Sequence, residues 1–228
     1  MHRWIWDLHY PAPIATRHDY PISAVPHDTP RFPLGPNALP GSYTVRLTVD
    51  GKTFTSSLTV KMDPRVKAPA SALQDKFKAE SHLASIMEES SRALIQGGSI
   101  REQLEKLNAP ANAPTGDAVQ AFLKKLTALL GASGGFFAPP SQEVTLSRVN
   151  GQAGSLYQQV WQADAAPTSS QTEATVAVER DGADVVQRWN AFVNSDLPTL
   201  NRLLRESKTP EVRIEPDPPH DEPQVDEE

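Results

Sequence analysis

Residues 43–62 read Tyr-Thr-Val-Arg-Leu-Thr-Val-Asp-Gly-Lys-Thr-Phe-Thr-Ser-Ser-Leu-Thr-Val-Lys-Met. Tyr43, Val45, Leu47 and Val49 alternate with Thr44, Arg46 and Thr48, the period of two that puts every second side chain on one face of a strand. Asp50-Gly51 supplies the two positive-φ positions of a type I′ turn. Phe54, Leu58, Val60 and Met62 continue the alternation on the way back, and Asp63-Pro64 ends it. The segment predicts a β-hairpin with one apolar face.

Downstream the period changes to that of a helix. Ser71 and Gln74 have capping-box spacing. Leu73, Phe77, Ala84, Met87, Leu94, Leu104 and Leu107 then line one face of a helix over 71–107, with Gly97-Gly98 expected to kink it. A second helix is read over 117–130, with Val119, Phe122, Leu123, Leu126, Leu129 and Leu130 inward and Gly131 as its stop. The Gly134-Gly135 and Pro139-Pro140 pairs connect it to a third helix over 142–164, following Ser141, whose inward residues are Val144, Leu146, Val149, Ala153, Leu156 and Val160. Ala166-Pro167-Thr168 stops that helix and caps a fourth over 169–206. Its expected core positions are Val176, Val186, Trp189, Val193, Leu200, Leu203 and Leu204. Pro198 must kink or restart it, because proline lacks the amide donor and clashes with the preceding turn. Ser195 or Asp196 is the expected cap of the restart. Short connections favour antiparallel neighbours, so residues 70–209 are expected to form an up-and-down four-helix bundle.

Upstream, Trp4, Trp6, Leu8 and Tyr10 alternate with Arg3, Ile5, Asp7 and His9, which predicts a third strand with a strongly aromatic face. Residues 11–42 are rich in proline and read as a long loop closed by Pro40-Gly41. The fold class expected is α+β. Residues 1–66 form a small antiparallel β-sandwich remnant of three strands, the bundle follows, and residues 210–228 form a disordered acidic tail. The strands are expected to lean on the bundle, with Trp4 and Trp6 partly buried there.

The 228-residue chain contains 21 prolines and no cysteine, and its net charge is −6. Without cysteine, disulfides and thiolate metal sites are excluded. Much of the negative charge lies in the tail, at Glu215, Asp217, Asp221, Glu222, Asp226, Glu227 and Glu228. No basic stripe interleaved with aromatics is present, so nucleic acid is not an expected partner. No apolar run reaches the roughly 20 residues of a membrane span, and no signal peptide is visible.

The residues with chemical potential have simpler readings. His9, His18 and His27, with Asp19 and Asp28, fit no ligand spacing and read as loop polar residues. Asp7, Asp50 and Asp63 have strand or turn roles, and Glu88-Glu89 reads as a solvated helix face. No Gly-x-Ser-x-Gly elbow occurs. Gly97-Gly98-Ser99 and the 131–135 run Gly-Ala-Ser-Gly-Gly lack the strand and lysine of a phosphate loop. No catalytic residue, metal ligand or cofactor site is assigned. The positions expected to matter for structure or interaction are Trp4, Trp6, Tyr10, Asp50, Gly51 and Pro198. The three aromatics read as packing surface, with a sugar-stacking platform as the alternative.

Several stretches together resemble a known family. They are Trp6-Asp7-Leu8-His9-Tyr10-Pro11, Tyr20-Pro21-Ile22-Ser23-Ala24, Leu39-Pro40-Gly41-Ser42-Tyr43-Thr44-Val45 and Val60-Lys61-Met62-Asp63-Pro64-Arg65-Val66. In the helical part they are joined by Leu146-Ser147-Arg148-Val149-Asn150-Gly151 and Asp196-Leu197-Pro198-Thr199-Leu200-Asn201. The chain thus resembles, over about residues 3–210, the C-terminal region of large exported bacterial proteins. Those carry an N-terminal propeller of BNR (sialidase-type) repeats, are related to the sortilin Vps10 propeller, and are often labelled glycosyl hydrolase-like. The resemblance implies that a propeller and the early strands of an immunoglobulin- or fibronectin-like sandwich precede this region, and neither is here. No Asp-box occurs, so any hydrolase activity would belong to the propeller. The chain is expected to be a fragment, a split-gene product or the result of a misplaced start codon. Its implied role is a non-catalytic accessory region whose partner is a BNR-repeat propeller polypeptide. The alternatives are a glycosyl hydrolase-associated module and a carbohydrate-binding module. Export to the periplasm or beyond is implied for the full-length family, while the compartment of this chain stays open.

Overall fold

A computed structural model describes residues 4–20, 24–25, 29–107, 114–131 and 143–215. Strands β1 (Gly41–Val49) and β2 (Lys52–Val60) form a two-stranded antiparallel sheet. Helices α1 (Ala70–Lys106), α2 (Pro114–Leu130), α3 (Leu146–Trp161) and α4 (Ser169–Ala191) follow. A π turn, Phe192–Asp196, leads directly from α4 into α5 (Leu197–Glu206), so α4 and α5 are one interrupted helix. The fold is α+β and mostly helical.

Helix α1 is the spine of the bundle. Asn150 of α3 donates Nδ2 to Met87 O (3.1 Å), Ser90 Oγ (2.9 Å) and Ser91 Oγ (2.8 Å) of α1. Both serines are buried, and Ser90 also donates its hydroxyl to Ile86 O at 2.7 Å, so the polar atoms at this contact are hydrogen-bonded. Further along, Lys76 faces Asp164 just past the end of α3, which makes α1 and α3 antiparallel. Leu83, Ile100, Leu126, Leu146 and Leu204 are fully buried. Burying such a side chain contributes about 1.5–3 kcal/mol, so stability resides in the helices.

Two glycines permit close packing. A Cβ at Gly97 would lie 2.5 Å from Leu130 Cδ2, which marks where α2 meets α1. The Gly97-Gly98 pair lies within the continuous α1; Gly97 admits the Leu130 side chain, and a Cβ at Gly98 would meet nothing within 4 Å. Gly182 lies in the α4 stripe Val178, Gly182, Val185, Trp189, where an added Cβ would contact Ile86 and Val149.

Several sequence expectations are corrected. The capping box is not at Ser71 and Gln74: α1 begins after Pro69 without a side-chain cap. It is at Thr168, whose hydroxyl accepts from Gln171 N while Gln171 Oε1 accepts from Thr168 N. Thr145 caps α3, accepting from Arg148 N. Val176 is 60% exposed, because the α4 stripe runs through Val178 and Val185. Pro198 restarts the helix as expected, at its first turn, and the π turn before it absorbs the misfit of its ring and missing amide. Asp196 makes no cap; its carboxylate pairs with Lys125 at 2.6 Å.

The expected third strand is absent from residues 4–10. Leu8 has φ of +65°, which turns the backbone out of the strand path, and the segment contributes a single bridge, His9 to Asn37. Disorder does not begin at residue 210 either. Val212 is buried, and its amide and carbonyl pair with the Asn201 side chain, both at 2.9 Å. Gln103 clamps the main chain of Arg213 in the same way. Ser141, Gly134-Gly135, Pro139-Pro140, His27, Asp28 and residues 216–228 lie outside the described residues.

Candidate interaction surface

In the hairpin, Asp50 and Gly51 have φ of +50° and +75°, the turn that the Asp-Gly pair predicts. The register places Tyr43 opposite Leu58, Val45 opposite Ser56, Leu47 opposite Phe54 and Val49 opposite Lys52. These side chains share one face. Val45, Leu47, Val49, Phe54 and Leu58 are 41%, 58%, 48%, 58% and 38% exposed, so the apolar face that the alternation predicts is left uncovered. The opposite face carries Ser42, Thr44, Arg46, Thr48, Thr53, Thr55, Ser57 and Thr59 and is exposed as well. Isolated two-stranded hairpins are marginal in water.

The hairpin joins the body through a strap, residues 8–14 and 31–38. Its two legs pair through Tyr10 N to Pro36 O (2.9 Å) and Ala38 N to Leu8 O (2.8 Å), and Phe32 N of the second leg also donates to Asp19 O (2.9 Å), beyond the end of the first. Ile14, Gly35 and Pro36 are buried. The strap is pinned to the helices at three places. Glu80 of α1, fully buried, accepts from Asn37 N (3.1 Å) and Asn37 Nδ2 (3.3 Å) and lies 3.5 Å from Lys76 Nζ. Tyr157 of α3 donates its hydroxyl to Leu34 O at 2.8 Å. Burial, with the Glu80 charge nearby, pushes the Tyr157 phenol well above the ordinary tyrosine range and keeps it a donor. Trp161 stacks on His9 and receives the edge of Phe32, each at 5.8 Å between ring centres. Within residues 11–42, read as a long loop, Ile14, Gly35 and Pro36 are thus built into the core, while Thr16, Arg17, Tyr20 and Val25 stay exposed and Gly41-Ser42 open β1.

The three aromatics singled out from the sequence are not brought into one platform. Trp4 is 63% exposed and is not buried against the bundle as expected. Trp6 is half-buried, but against Tyr43 of β1 at 5.1 Å and 65°, with its Nε1 donating to His9 O at 2.8 Å. Tyr10 packs on Phe77 of α1 at 5.2 Å. The alternation that suggested a common face is broken at Leu8. Trp6 and Tyr43, whose hydroxyl donates to Leu39 O at 2.6 Å, link the strap to the root of the hairpin.

Three of the carboxylates singled out from the sequence, Asp7, Asp63 and Glu88, have local partners. Asp7 accepts from His9 N at 3.0 Å. The Arg65 guanidinium, with the Arg65 amide, holds the Asp63 carboxyl below the usual carboxylate range. Glu88 pairs with Arg92. Glu88 and Glu89 border a shallow groove between the strap and α1 whose walls include Pro36 and Phe77. Among the described residues no three His, Asp or Glu side chains gather in a metal-binding arrangement. No helix is long and apolar enough to cross a membrane among them.

No family model, curated protein or solved structure matches this chain. Sequence reasoning found the hairpin face and missed the strap anchors. Glu80, Tyr157 and Trp161 sit on helices far along the chain from Asn37, Leu34 and His9, and no local pattern links them.

Proposed function

We propose that this chain is a non-catalytic accessory region that docks on a BNR-repeat propeller polypeptide, with the hairpin face as its contact surface. One observation carries the reading: a pleated apolar face built from Val45, Leu47, Val49, Phe54 and Leu58 has no cover among the described residues. Sheets bury such faces against other sheets about 10 Å away, and a propeller is made of sheets. Contiguous exposed apolar surface on an otherwise well-packed protein marks an interaction site. The strap supports the same reading, because it holds the root of the hairpin against a rigid bundle.

The test is titration of the chain with a purified BNR-repeat propeller of the resembled family. Leu47→Lys puts a charge in the middle of the exposed face. It is expected to weaken binding by at least about tenfold. Unfolding free energy should change by less than about 0.5 kcal/mol, since the side chain is already in solvent. Equal binding by both chains, or no binding by either, contradicts the proposal. A second reading, carbohydrate binding, draws support from the open ring of Trp4. It is the weaker reading, because Trp6 and Tyr10 are engaged with Tyr43 and Phe77.

A further inference from the structure

The face of the hairpin is one unused surface, and the outer edge of β2 is another. Strands β1 and β2 are joined by the two-residue turn Asp50-Gly51, so Val49 and Lys52 form a hydrogen-bonded pair. Pairing type alternates along an antiparallel ladder. The backbone groups of Lys52, Phe54, Ser56, Leu58 and Val60 therefore point to β1, and those of Thr53, Thr55, Ser57 and Thr59 point outward. Among the described residues, no backbone group outside the hairpin bonds to this edge. Proteins protect such edges with charge, proline or a bulge. Residues 53–60, Thr-Phe-Thr-Ser-Ser-Leu-Thr-Val, contain no charge and no proline, and the register runs through them without a bulge.

We infer that β2 pairs antiparallel with β2 of a second copy of this chain, about a two-fold axis at Ser56. The strand is self-complementary in this register. Thr53 meets Thr59 and Thr55 meets Ser57 of the second copy, which joins outward-pointing backbone groups to outward-pointing groups. Phe54 meets Leu58 of the second copy in a close, non-hydrogen-bonded pair. Because Leu47 is opposite Phe54 and Tyr43 opposite Leu58, each apolar row becomes Leu47, Phe54, then Leu58 and Tyr43 of the second copy. The nine residues from Lys52 to Val60 all find partners, and no like charges oppose. The corresponding pairing of β1 with itself would set two Arg46 side chains diagonally across the axis. The dimer uses the edge and leaves the apolar face free, so it is independent of docking on a propeller. One strand pairing buries less than the roughly 800 Å² per partner of a standard interface, so association depends on concentration.

The test uses sedimentation and oxidative cross-linking of the full chain. The native chain has no cysteine, so an introduced thiol reports one contact. Ser56→Cys places two thiols across the axis at the Cα separation of a non-hydrogen-bonded pair, about 4.5 Å, within disulfide reach. It is expected to cross-link at least about tenfold faster than Val45→Cys, which marks the β1 edge. Ser57→Pro removes an outward amide without touching the β1 ladder. It is expected to abolish the dimer with helicity unchanged. A monomer at the highest soluble concentration overturns the inference. So does cross-linking that is no faster at Ser56 than at Val45. Binding of a propeller by a chain that stays monomeric would also overturn it, and would leave the proposed function standing.

Discussion

Replacing Glu80 with alanine lowers the free energy of unfolding by about 3–5 kcal/mol, the range for removing one partner of a buried ion pair. Glu80 is fully buried and Lys76 is 5% exposed. Without the carboxylate, Lys76 keeps only Asp164, at 3.5 Å, and both Asn37 donors lose their acceptor. The loss therefore combines an uncompensated charge with two unpaired donors. Urea denaturation measures it. Lys76→Met with Glu80→Leu should recover more than half of the loss, because removing both charges removes the imbalance. Hydrogen exchange should also quicken around Asn37 in Glu80→Ala, since Asn37 is one of the points where that leg is held. A change below about 1 kcal/mol would mean that the pair does not hold the strap.

Gly35→Ala is expected to cost about 3 kcal/mol through overpacking against main chain. A Cβ at this position would lie 1.8 Å from Tyr10 O and 2.6 Å from Pro11 O, both backbone atoms. No rotamer change relieves such a contact. The two legs must separate, which breaks the bonds from Tyr10 N to Pro36 O and from Ala38 N to Leu8 O. The helices pack mainly on one another, so far-UV dichroism should be unchanged while the urea midpoint falls. A midpoint equal to that of the native chain would show that the legs can shift apart freely. Together the two substitutions separate a strap built into the core from a linker lying on it.

The parts of this fold legible in the sequence are those with local chemistry. Asp50-Gly51 announces its turn because few residue pairs tolerate two positive-φ positions. Thr168 after Ala166-Pro167 reads as a cap, although its reciprocal partner Gln171 does not announce itself, and Pro198 forces a break wherever it sits in a helix. Periodicity marks Leu146, Val149, Ala153, Leu156 and Val160 of α3 and all five are buried, although it also takes in Val144, which precedes the helix and is partly buried, and passes over the buried Tyr157. What failed was pattern without a partner. The alternation of Trp4, Trp6, Leu8 and Tyr10 looked like a strand face until Leu8 left the strand region. Val176 looked inward because the true stripe on α4 contains Gly182, which carries no hydrophobic signal. Val212 looked like part of a polar tail, and its burial depends on Asn201 and Gln103. Of the candidate surface, the apolar row was legible, but its exposure was not, because exposure depends on where every other element packs.

The central claim is a division of labour: the bundle and strap carry stability, and the hairpin carries recognition. Hydrogen exchange of backbone amides, at a dilution where sedimentation shows a monomer, tests it most directly. Amides in β1 and β2 are predicted to exchange at least about a thousandfold faster than those around Leu83 and Val149. Adding a BNR-repeat propeller should slow the hairpin amides and leave the bundle unchanged. Hairpin amides as protected as the α1 core in the chain alone, or unaffected by the propeller, would contradict the account.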